Sequence, residues 1–131
     1  MTGAEIVGAV LRAADAVIAT VAVARIKGGK LPDDVALPAL LVRTISSIER
    51  QKLKRTGKIR TVDRVSVTVR AASYAEQLAV IKAVKDACAG QTGNVGGAES
   101  VSILNAGSGP DLIGPGDTFE QATDFRVSFD A

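Results

Sequence analysis

This chain of 131 residues is predicted to be an α+β domain, a mainly antiparallel sheet packed by two helices, in the order α-(β)-β-β-α-β-β. Three observations predict it. Two stretches repeat apolar residues at steps of three and four behind an N-terminal capping signal. Two others alternate apolar and polar residues with the two-residue period of a strand. Each helical stretch precedes a pair of strands, an order that places helices on one face of an antiparallel sheet.

The first helix is expected from Ala4 to about Thr20. Thr2 and Glu5 supply a T-x-x-E capping box for the first turn. Ile6, Val7, Val10, Leu11, Ala14, Val17 and Ile18 form one apolar stripe behind it. A short strand over Val21–Ile26 follows, ended by Gly28-Gly29-Lys30-Leu31-Pro32. Pro32 and Pro38 then bracket a loop holding Asp33 and Asp34.

A long hairpin occupies the middle of the chain. Its first strand, Leu40 to Ile45, alternates imperfectly, so its buried face is not legible. Its return strand, Ile59 to Ala71, sets Val65, Val67 and Val69 against Ser66, Thr68 and Arg70, with the turn at Gly57. The second helix runs from Tyr74 to Ala89, capped by Ser73 and Glu76 and stopped by Gly90. Tyr74, Leu78, Ile81, Val84 and Cys88 share its apolar face. After a turn over Gln91–Ala98, a strand is expected from Glu99 to Ala106. The stretch from Gly107 to Gly116 is too rich in Gly and Pro for regular structure. The last strand alternates most clearly: Phe119, Gln121, Thr123, Phe125, Val127 and Phe129 face one way. One domain, 1–131, is expected, with no linker and no repeat.

Charge singles out the hairpin. From Glu49 to Arg64 there are seven Lys or Arg against two acids, a balance of +5 in a chain whose total is +2. The remainder therefore sums to −3. Such an arm fits contact with an acidic protein surface or with a nucleic-acid backbone. Lys and Arg on a hairpin also keep strand edges soluble, but seven exceed that need. With three Phe, one Tyr and no Trp, the chain offers few platforms on which bases could stack.

Enzymatic chemistry finds little to work with. There is no His, and Cys88 is the sole cysteine, placed on an apolar helix face where a small hydrophobe is the usual role. Internal disulfides and thiolate zinc sites are excluded. Asp33-Asp34 and Asp111 to Asp117 lack the spacing of a calcium loop and read as capping and loop acids. Gly28-Gly29-Lys30 fails as a phosphate loop, because Leu31 stands where Ser or Thr is needed. No metal or other cofactor is expected. No basic n-region opens the chain, and the apolar stretch 6–23 carries Arg12 and Asp15, so a packed helix is expected rather than a leader or a membrane span.

Six stretches are worded like one known family. They are Gly3-Ala4-Glu5-Ile6-Val7, Leu37-Pro38-Ala39-Leu40, Arg64-Val65-Ser66-Val67-Thr68-Val69, Ser73-Tyr74-Ala75-Glu76-Gln77, Gly109-Pro110-Asp111, and Thr123-Asp124-Phe125-Arg126-Val127-Ser128-Phe129. Together the chain resembles the tail-completion proteins of tailed bacteriophages, small head–tail joining or tail-terminator subunits that also occur in gene transfer agents. The resemblance implies a structural part of the virion tail or neck, assembled in the host bacterial cytoplasm, with no active site. It implies a ring of copies of itself, commonly a hexamer, that caps the tail tube protein and meets the head–tail connector, with DNA passing nearby. Arg50, Lys52, Lys54, Arg55, Lys58 and Arg60 are the first expected assembly contacts, and Asp111 and Asp117 the second. The alternative is a nucleic-acid-binding module acting through residues 49–64.

Overall fold

The computed structural model describes residues Met1–Ala131. Its centre is the strand with the best alternation in the middle of the chain. β3 (Arg60–Ala71) pairs antiparallel along its whole length with β2 (Ala39–Arg50) on one side and β7 (Thr118–Asp130) on the other. β5 (Ala98–Ser108) lies beyond β7, and β4 (Thr92–Val95) beyond β5. β1 (Ile26–Gly28) runs parallel to the start of β2, and β6 (Leu112–Gly114) pairs with the start of β7. The result is a seven-stranded sheet in the order β1-β2-β3-β7-β5-β4, with β6 alongside β7.

Three helices cover one face: α1 (Gly3–Ala13), α2 (Asp15–Ile18) and α3 (Tyr74–Cys88). Beneath them Val65, Val67 and Val69 of β3 and Phe125, Val127 and Phe129 of β7 are buried in a single cluster with Ile6, Leu11, Val84 and Cys88. The alternation that predicted the strands is thus the alternation that fills the core. Phe119 follows its parity too, but it stays half-buried and meets the Tyr74 ring at 6.3 Å.

Several elements differ from expectation. The first helix breaks at Ala14, whose φ −87° and ψ 112° are extended. The chain turns there and still buries Val17 and Val21, so the stripe is divided between two helices rather than abandoned. A single turn of 3-10 helix, Val23–Arg25, occupies half of the expected strand, and pairing begins only at Ile26. α3 presents Gln77, Val80, Ile81, Val84 and Cys88 to the core, whereas Tyr74 and Leu78 are exposed. The Gly- and Pro-rich stretches also hold strands, because β4 and β6 are recruited by the ladders of β5 and β7.

The start of the chain is tied to β3. The Thr2–Glu5 capping box forms, and Gly3 N donates to Asp63 Oδ2 at 2.8 Å. Asp63 is buried with its carboxylate at the positive end of α1, the favourable place for an anion. A Cβ on Gly3 would fall 2.6 Å from Asp63 Cβ, so this contact requires glycine. One of the two acids counted in the basic stretch therefore belongs to the core.

Candidate assembly surface

The central hairpin does not stand free as an arm. β3 carries the apolar alternation and is enclosed by β2 and β7, and even Ile59 exchanges backbone hydrogen bonds with Ala131. What is free is the outer half of β2, Arg43–Arg50, together with the loop 51–58. All eight of those β2 residues are exposed, on both faces of the strand. β1 covers only residues 40–42, so the outer backbone edge beyond Val42 has no strand beside it.

A one-residue bulge at Ile45 explains which side chains turn where. Thr44 pairs with Val65, but Ser46 pairs with Arg64, so every later β2 residue changes face. Ser47 and Glu49 point to the helix side but stay exposed. Ile48 joins Val62 on the open face instead. Ile45 and Ile48 are 55% and 69% exposed.

The six expected cationic contacts divide into two groups. Lys58 pairs with Glu99, and Arg60 Nη1 lies 3.4 Å from Asp130 Oδ1 while donating to Ser100 O at 2.8 Å. Arg64 with Asp124 and Arg70 with Glu120, both at 2.9 Å, continue this row down the β3–β7 seam. The pairs of Lys58, Arg60 and Arg64 are largely exposed and contribute up to about 1 kcal/mol each, whereas Arg70 is buried. Arg50, Lys52, Lys54 and Arg55 enter no ion pair. Leu53, between two of these lysines, is fully exposed. The free end of the hairpin thus offers four uncommitted cations around one apolar side chain.

The two expected acids also part company. Asp111 is engaged: Tyr74 Oη donates to its Oδ2 and Gln77 Nε2 to its Oδ1, each at 2.9 Å. Hydrogen bonding to that carboxylate, and its negative charge, raise the Tyr74 pKa above the usual phenol value. Gln121 Nε2 holds Gly109 O at 3.1 Å, so the loop is pinned to α3 and β7. Asp117 is exposed in a 3-10 turn and makes no ion pair. The acids and the free cations do not meet. They lie at opposite ends of β3, whose twelve residues span roughly 36 Å at about 3.3 Å per step.

Chemistry elsewhere is sparse. No three His, Cys, Asp or Glu side chains group as metal ligands. Cys88 is buried, and desolvation raises its thiol pKa to about 12, far from a reactive thiolate. No helix is long and apolar enough to cross a membrane. A groove between α1 and the β1–β2 edge is lined by Glu5, Gly8, Arg12, Gly28, Gly29 and Arg43, and opens onto the bare edge of β2. Sequence reading missed Ile45, Ile48 and Leu104 as surface features. Their strands read as ordinary, and only the finished sheet shows them at its margins.

The family model described as tail completion protein gp17 matches residues 6–130. Among solved structures, the chain is similar to one in the virion of a native gene transfer agent particle, at 19% identity and a TM-score of 0.64. That likeness covers 98% of this chain and 95% of the other, and concerns the fold. No curated protein matches in sequence.

Proposed function

The chain belongs to the tail completion protein gp17 family, a phage virion structural family, and from that premise we propose that it is a tail-terminator subunit. In this reading, copies of the 1–131 domain form a ring, a hexamer, on the last ring of tail tube protein and join it to the head–tail connector in the neck. Its place is the virion, reached by assembly in the host cytoplasm. It acts by binding, with no catalytic step and no cofactor.

The observation that carries this reading beyond the family is the free end of the hairpin. Arg50, Lys52, Lys54 and Arg55 lack intramolecular partners, and Leu53 projects among them. An acidic protein surface with an apolar pocket would satisfy both features. Lys58 and Arg60 buttress that end from the sheet, and Asp117 is a lesser contact at the other end. Asp111 supports it by holding the loop.

The same four cations favour one second reading, contact with DNA passing through the tail. The two readings separate on Leu53 and on salt. The triple variant Lys52→Ser/Lys54→Ser/Arg55→Ser is expected to fold normally and to stop co-sedimenting with tail tubes. Leu53→Ser alone is expected to weaken that binding at unchanged charge. DNA affinity falling steeply with salt, with tail-tube binding intact in both variants, would instead establish the nucleic-acid reading.

A further inference from the structure

The sheet has two bare margins, and they are complementary. On one side β2 exposes an unpaired edge from Arg43 to Arg50. On the other, β4 and residues 90–91 cover β5 only as far as Ile103, leaving Leu104–Ser108 bare. Half of the ten exposed large apolar residues, Ile45, Ile48, Leu104, Leu112 and Ile113, stand on these two sides. A long bare edge with apolar side chains is a template for another strand. We propose that the β2 edge of one copy pairs with the β5 edge, Leu104–Ser108, of the next, so that one sheet runs from subunit to subunit around the ring.

Direction, face and charge agree with this partner. Along the path β2, β3, β7, β5 every step is antiparallel, so β5 runs opposite to β2. A neighbour in the same orientation therefore presents β5 antiparallel to β2, which is the heterologous contact that closed rings require. Leu104 pairs with Arg126 on the open face, the face to which the bulge turns Ile48. In the joined sheet the two would sit side by side. Pairing of two β2 edges about a two-fold axis is disfavoured: centred on Ser46 and Ser47, it sets Arg43 directly against Arg50 of the other copy. Leu104-Asn105-Ala106-Gly107-Ser108 carries no charge.

The backbone supplies a selective test. Gly29 N donates to Val42 O at 3.2 Å, so the polar groups of Val42 point outward. Alternation makes Thr44 outward as well and, past the bulge, Ser47 and Glu49. Proline at 47 removes an N–H that β3 does not use, and proline is tolerated on such an edge.

This proposal rests on the ring reading, and the experiment keeps the two apart. Wild type and Ser47→Pro are compared by light scattering and electron microscopy, alone and added to tail tubes. In parallel, Ile48→Cys/Leu104→Cys is oxidised; the buried Cys88 does not compete. Expected are rings for wild type, loss of rings for Ser47→Pro with an unchanged circular dichroism spectrum, and a ladder of covalent oligomers for the double cysteine. Rings that persist in Ser47→Pro without a ladder overturn the edge pairing and leave the ring intact. A wild type that stays monomeric on tail tubes overturns both. If Ser47→Pro fails to fold, the ladder or its absence decides.

Discussion

β2 and β3 have equal lengths and are hydrogen-bonded to each other, yet the outer half of one is bare and the matching half of the other is largely enclosed. From Arg60 to Val65, β3 has β2 on one flank, β7 on the other and the N-terminus of α1 on Asp63. From Arg43 to Arg50, β2 has β3 alone. Strand identity here does not follow from a residue's own preferences. β3 earns its central place through Val65, Val67 and Val69, whereas distal β2 is a strand because β3 offers it a ladder. Conformational order at such an edge, without burial, is what a binding partner can use.

The contrast can be broken most severely in the enclosed region. Phe125 lies opposite Val65 and is fully buried. Phe125→Ala is expected to cost about 3–5 kcal/mol of unfolding free energy, measured by urea denaturation. A loss below about 1 kcal/mol would mean that the β3–β7 face is not the core.

The next largest effect is alkaline. Cys88 closes the α3 side of the same core, and its folded pKa of about 12 exceeds the ordinary 9. The folded state therefore holds its proton after the unfolded chain has released it. The stability linked to this thiol is fully present below pH 9 and falls as pH rises toward 12. The slope attributable to it approaches 1.4 kcal/mol per pH unit. Denaturation of wild type and Cys88→Ala between pH 8 and pH 11 checks this (about two units into the window): the variant should lose the thiol's share of the slope. Parallel curves would refute the linkage.

The smallest effect belongs to the bare edge. Ile48→Ala should change monomer stability by no more than about 0.5 kcal/mol, while weakening any assembly that uses the open face. A loss of several kcal/mol would show that Ile48 is packed, and would erase the contrast between the two strands.

The capped starts of α1 and α3, the alternation of β3 and the shared Phe parity of β7 were all legible, because each is a local pattern. Thr2 and Glu5, Ser73 and Glu76, and alternating Val or Phe need only their near neighbours to declare themselves. The break at Ala14 was not legible, since an Ala-rich stripe continues past it without a signal. α3 was misread by one step because Gln77 is core, and a buried glutamine is reasonable only once Asp111 and Gln121 are in place to bond it. Of the proposed assembly residues, the four free cations could be named from charge alone. That Lys58, Arg60 and Asp111 would be occupied could not, since their partners lie 34 to 70 residues away on other elements.

By itself, the sequence determined the α+β class, the β3 and β7 residues that fill the core and the stretch in which positive charge gathers, because periodicity and composition act over one turn or one strand. Tertiary structure alone decided which of those charges are free, which strand edge is bare and which way Ile48 points. These depend on strand order and on a single bulge, and a ladder between distant segments leaves no mark on either segment taken alone.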